Sequence, residues 1–349
     1  MKISGLGRFA ISVSFIMVGT LALASPPANY HLLKKIPLGA APGEGEYFDY
    51  LTIDALARRV YLTHGTEVKV VDADSGEVEG TISGMKRIHG VALVMELGRG
   101  FITDADTGKV FIFDIATLKV TGEVQASKGA HGVIYDPASK HIFSFNDPSK
   151  NMTVIDPGTQ TVVKILDLGG PSLFAVADGK GMIYANNQDA NEVMAIDSQA
   201  LTIKARWPVA PAGEPMSLAM DREHRRLFAA GRNPQMLVMM DADNGKVIQS
   251  FPISAGVDAD VYEPETRKLF VSTREGKVHV YHEDSPDKLS EVETVTTEYG
   301  AKTMALDPKT HNLYLTTSDF GPVPPPTAEH PHPTPTSIRG TFRLLIYGH

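Results

Sequence analysis

Asp49, His89, His131 and Asp258 are the residues whose types and spacing best suit chemistry. With Ser172, Met216 and Lys302 they form a series separated by 40, 42, 41, 44, 42 and 44 residues. Groups spaced so evenly are carried to one axis if the chain repeats a unit of that length. Two imidazoles and two carboxylates converging there make a donor set for a divalent metal, since His nitrogen and Asp oxygen suit zinc and similar ions. A metal so held could activate water for a hydrolase. A plainer reading stands beside it, in which each His caps a strand or bonds a neighbouring loop.

A second series lies at the far ends of the strands that follow: His64, Asp104, Asn146, Asn187, Gly231 with Arg232, Arg274 and Thr317. These are expected to line the same face. Arg232, Arg274 and Lys302 would give that face a cationic side, opposite Asp49 and Asp104. Such a cleft suits an anionic or zwitterionic ligand, with Arg bonding carboxylate or phosphate in bidentate fashion. Solvated loop charges are the alternative. His330-Pro331-His332 beside Glu329 invites a copper or nickel reading, but that composition equally makes a solvated proline-rich loop. The sequence has no Gly-x-Ser-x-Gly elbow, no phosphate-binding Gly-x4-Gly-Lys-Ser/Thr loop, no His-Glu-x-x-His and no Cys-x-x-Cys-His.

The elements that must position these residues are short strands. In Arg58–Ile82, Val60 to Thr63 and Val68 to Val71 are β-branched or aromatic runs, Asp74-Ser75-Gly76 is turn chemistry, and Val78 to Ile82 runs back. The aromatic of the second strand recurs as Tyr61, Phe101, Phe143, Tyr184, Phe228, Phe270 and Tyr314. An aspartate follows the third strand at Asp72, Asp114, Asp156, Asp197 and Asp241, with His282 in its place in the sixth unit. Asp54, Asp136, Asp221, Glu263 and Asp307 close the innermost strand; Val94 and Ala177 depart, with Asp178 one residue later. Because they recur, these carboxylates read as turn-formers rather than catalytic acids. Four strands in 40–45 residues is the signature of a propeller blade, and seven units make an all-β, seven-bladed propeller.

The ends fit that count. The seventh unit supplies Thr303–Leu306, Leu313–Thr316 and Thr341–Tyr347 and lacks an outer strand, so Tyr30–Leu38 is expected to close blade 7 and cover its edge. Residues 319–337 form a proline-rich insertion in that blade, expected to project over one face. Lys2 and Arg8 ahead of the apolar run Phe9–Leu23, then Ala22-Leu23-Ala24, predict a signal peptide cut after Ala24 and a propeller over 25–349. The mature protein is then periplasmic or secreted, with no later membrane span. Cysteine is absent, which excludes disulfides, thiolate metal sites and Cys nucleophiles. Without Lys2 and Arg8, 31 basic residues face 41 acidic ones, a balance of −10 that disfavours nucleic acid as a partner.

Units such as RRVYLTHGTEVKVVDADSGEVEGTI and GAHGVIYDPASKHIFSFNDPSKNMTVIDPGTQTVVKIL resemble the YVTN-type repeat of bacterial seven-bladed propellers, the YncE-like family. The likeness spans Tyr30 to His349. It implies the propeller fold and places His-Gly-Val among that family's ordinary repeat wording. On activity it leaves several options, since such propellers serve as binding platforms, electron-transfer enzyme shells and relatives of lactonases. The leading expectation is a monomeric, non-catalytic binding or scaffolding module, engaging a small molecule or an envelope protein on its channel face. A metal-assisted, lactonase-like hydrolase comes second. DNA binding has precedent in the family and conflicts with the charge.

Overall fold

A computed structural model describes residues 1, 29–43, 46–327 and 333–349. The expected leader, with its cut after Ala24, and His330, His332 and Glu329 lie outside the described residues. Among the described residues, 28 strands form seven four-stranded antiparallel sheets. Only one 3-10 turn, Met95–Leu97, interrupts them. No described helix is long and apolar enough to cross a membrane.

Six of the sheets run outward in chain order from an innermost strand, as in Phe48–Asp54, Arg59–His64, Glu67–Asp72 and Val78–Ile82 of blade 1. The innermost strands of successive blades neighbour one another around the axis. Middle strands are buried on both faces, whereas the outermost, such as Thr161–Asp167 and Thr202–Pro208, are largely exposed. Tyr61, Phe101, Phe143, Tyr184, Phe228, Phe270 and Tyr314 are all fully buried between blades. Each aromatic contributes roughly 2–3 kcal/mol through the apolar surface it removes from water. Two of them also bond the adjacent blade, Tyr184 to the Ala242 carbonyl (2.9 Å) and Tyr314 to the Ala73 carbonyl (3.0 Å).

Blade 7 closes the ring as expected. His31–Gly39 pairs antiparallel with Phe342–Gly348, which follows Leu313–Thr317 and Met304–Leu306. The first and last described strands thus meet in one sheet, and the edge of Phe342–Gly348 is covered.

The recurring carboxylates build turns. Asp54 accepts from the amides of Leu56 (3.1 Å) and Ala57 (2.9 Å), and Asp136 from Ala138 (3.3 Å) and Ser139 (3.0 Å). Asp72 does the same at an outer hairpin, to Asp74 (3.1 Å) and Ser75 (2.6 Å). These bonds hold a left-handed residue four positions after each carboxylate: Arg58, Lys140, Arg225, His311 and, in an outer turn, Gly76. Blade 4 departs in sequence and in detail, since Asp178 accepts from Lys180 (2.7 Å) and Met182 (2.9 Å), and Gly179 and Gly181 are its left-handed residues. In blade 2, Val94 leads into the 3-10 turn instead.

Candidate functional site

The first series of residues sits at a repeated irregularity. In blades 1, 2, 3, 5 and 6 the pairing of the innermost strand slips by one residue, between Phe48 and Leu51, Ile88 and Val91, Ala130 and Val133, Pro215 and Ser217, and Val257 and Ala259. Asp49, His89, His131, Met216 and Asp258 lie inside those bulges. A bulge leaves one residue unpaired and re-aims its side chain. Ser172 and Lys302 lie in the segments just before Ala175–Ala177 and Met304–Leu306. Hydroxyls of the second strands fix these backbones: Thr63 accepts from the Asp49 amide (3.1 Å), Thr103 donates to the His131 carbonyl and Ser272 to the Lys302 carbonyl (both 2.5 Å). Thr303 closes the circle by donating to the Asp49 carbonyl (2.6 Å).

Five members of that series come together. Asp49 Oδ2 lies 2.6 Å from His89 Nδ1 and 3.5 Å from His131 Nε2, while Asp49 Oδ1 lies 3.6 Å from Lys302 Nζ. The two imidazoles face each other with centroids 3.8 Å apart. Lys302 also pairs with Asp258, which receives Arg232 Nη2 at 2.6 Å. Burial alone would push the Asp49 carboxyl up; Lys302, followed by the two histidines, outweighs it and holds the group well below the usual carboxylate range. Burial pulls His131 down to about 3, and neighbouring His89 adds to that against the pull of Asp49. Asp49 is therefore ionised and His131 neutral near neutral pH.

Two tyrosines that sequence reasoning missed complete the cluster. Tyr47 Oη is 2.7 Å from His89 Nδ1 and 3.0 Å from Asp49 Oδ2. Tyr50 Oη lies 3.3 Å from His131 Nδ1 and 3.3 Å from the Leu173 carbonyl. Burial raises both phenols well above their ordinary value, with Asp49 adding to the effect. Their signal was position alone: Glu46-Tyr-Phe-Asp-Tyr brackets Asp49, and no other blade has aromatics there.

The cluster opens onto a cleft of about 620 Å³ whose walls include Tyr47, Lys86, Arg87, His89, Lys128 and His131. Arg87 stacks its guanidinium 4.9 Å above the Tyr47 ring. Among the described residues, Lys86, Arg87 and Lys128 make no ion pair; Asp106 and Asp147 are the carboxylates on the same wall. These cations were also missed, although each lysine stands three residues ahead of a ring histidine, Lys86 before His89 and Lys128 before His131.

The second series largely serves structure. Asp104 is fully buried and accepts from the amides of Lys86 (2.8 Å), Arg87 (3.3 Å), Asp106 (3.1 Å) and Thr107 (3.2 Å). It positions the basic loop rather than facing the cleft. His64 is also fully buried, stacked on Phe342 at 3.9 Å and bonded through Nε2 to Glu46. Asn187 bonds the Leu168 carbonyl (3.4 Å) and Glu192 (3.1 Å). The expected cationic side is thus altered: Arg232 and Lys302 are neutralised by Asp258 and Asp49, and Arg274 lines a separate cleft of about 410 Å³. That cleft is walled by Lys302, Phe320, Pro335 and Ser337, so the described ends of the proline-rich insertion border the same face. Phe320 bridges Ser337 there.

No family model matches the sequence, and no curated protein is detectably similar to it. Solved structures are similar in shape. Hydrazine synthase of Kuenenia stuttgartiensis is 13% identical with a TM-score of 0.67, covering 76% of this chain and 91% of that one. A chain of a mitotic checkpoint complex is 13% identical with a TM-score of 0.70, covering 94% and 98%. At that identity the likeness is one of fold. The chain is a seven-bladed β-propeller, a scaffold that commonly serves binding.

Proposed function

We propose that this is an exported propeller of the YVTN, YncE-like type that captures a small anionic molecule on its channel face. The observation that carries the reading is the cleft beside His89 and His131, where Lys86, Arg87 and Lys128 stand without ion-pair partners among the described residues. Elsewhere on that face, Arg232 and Lys302 already have carboxylates. A volume of about 620 Å³ suits a metabolite rather than a protein segment. The repeat wording supports the family, and Lys2, Arg8 and Ala22-Leu23-Ala24 support export with a mature N-terminus at Ser25.

Calorimetry on chelator-treated protein, with a panel of carboxylates and phosphomonoesters, tests the capture. At least one compound should bind saturably, and Arg87→Ala with Lys128→Ala should weaken it tenfold or more; a blank panel or an indifferent double variant overturns the reading. Mass measurement of protein recovered from the envelope fraction tests export: an intact Met1 terminus refutes the cleavage.

A metal-assisted hydrolase is the second reading, favoured by Asp49, His89 and His131 having ligand atoms within 4.8 Å of one another. It requires metal-dependent turnover of a lactone panel that Asp49→Asn abolishes. Without such turnover, this reading falls.

A further inference from the structure

Asp49, His89 and His131 come from three consecutive blades, and their ligand atoms all lie within 4.8 Å of one another. Asp49 turns Oδ2 to the imidazoles and leaves Oδ1 to Lys302. Tyr50 lies within reach of both the Leu173 carbonyl and His131 Nδ1. When its hydroxyl donates to Leu173, its oxygen accepts from Nδ1–H, and His131 Nε2 presents a lone pair to Asp49 Oδ2 at 3.5 Å. Outer partners of that kind orient ligands around a metal. Two ligands about 2.1 Å from a tetrahedral ion stand about 3.4 Å apart, which matches that separation. The 2.6 Å contact between His89 and Asp49 must open to admit an ion. Tyr47, His89 and His131 also line the cleft, so a fourth position would face it.

We infer that Asp49, His89 and His131 bind one divalent first-row transition ion of the zinc class, with an open position toward the cleft. Asp258, a fourth candidate from the sequence, is excluded because Arg232 and Lys302 occupy its carboxylate. The site is independent of anion capture, which is measured without metal, so each can fail alone.

Full-length mature protein without a histidine tag, stripped by chelator, is titrated with Co(II) and Zn(II). One equivalent of Co(II) should give the visible bands of a four- or five-coordinate ion. His89→Ala and His131→Ala should each weaken Zn(II) thirtyfold or more. His224→Ala, in the other described His–carboxylate cluster, and the pair His330→Ala with His332→Ala should leave the affinity unchanged. If the site variants do not fold, imidazole nitrogen NMR of the parent decides, and Zn(II) should shift the His131 ring nitrogens. No stoichiometric metal, binding that survives in folded His131→Ala, binding lost in either control, or unmoved His131 resonances would each overturn the inference.

Discussion

The two faces of the disc use the same side chains to different ends. On the face where innermost strands finish, Asp54, Asp136, Asp221 and Asp307 each accept from backbone amides of the turn that follows, and Asp307 also receives Arg58 of blade 1 at 2.7 Å. The cluster there joins blade 5 to blade 6, and its Asp221 is still a turn-former. Asp221 accepts from the Glu223 and His224 amides before it meets the His224 ring at 2.6 Å, and Glu283, 3.8 Å from that ring, is bonded by Tyr262. On the opposite face, Asp49 and Asp258 sit in bulges and address side chains of other blades. A carboxylate of the first kind is fixed by its own turn, as Asp54 is through Oδ1, whereas one aimed by a bulge meets whatever the neighbouring blades supply.

Asp260 sharpens the contrast, because it has neither amides nor cations. It occupies a position held by Leu51, Val91, Val133, Phe174, Leu218 and Met304 in the other blades, with Ser217 Oγ at 2.5 Å and its second oxygen unpartnered. Burial pushes its carboxyl up to about 8, the Ser217 bond pulling the other way. Unfolding in water returns the group to near 3.8 and releases its proton between those values. Its stability contribution is therefore present below about pH 4 and lost as pH rises toward 8, at up to about 1.4 kcal/mol per pH unit. Asp260→Asn should remove that slope and gain a few kcal/mol over the parent at pH 8, measured by urea unfolding at several pH values; parallel pH curves would refute the neutral buried acid. Asp49→Ala comes next, at about 3 kcal/mol, because it strips Lys302 and His89 of a shared partner inside the site. Asp136→Ala should cost about 1–2 kcal/mol, the value of a local cap. An Asp136→Ala loss equal to or above that of Asp49→Ala would break the distinction between the faces. Smallest is Lys35→Ala: its half-exposed pair with Glu298, which Arg343 also holds, should contribute under about 0.5 kcal/mol in thermal unfolding.

Blade count, strand order and ring closure were legible because they rest on periodicity. Seven buried aromatics and a carboxylate at most turns recur with the unit, and Tyr30–Leu38 was the strand left over. The first series was legible for the same reason, since equal phase puts residues at equal height on one axis. His64 shows where phase stops. It is particular to its blade and so invited a functional reading, yet it is buried under Phe342 and tied to Glu46, partners distant in sequence. Asp104 likewise turned inward to amides of the loop that carries Lys86 and Arg87.

By itself, then, the sequence determined the repeat, the fold and the phase that brings Asp49, His89, His131, Asp258 and Lys302 together, because local patterns of burial and turn chemistry recur from blade to blade. Tertiary structure alone decided how the charges there pair. Lys302 stands between Asp49 and Asp258, while Lys86, Arg87 and Lys128 have no ion-pair partner among the described residues around the cleft. Coulomb pairing depends on distance across blades, and closing the ring is what sets those distances.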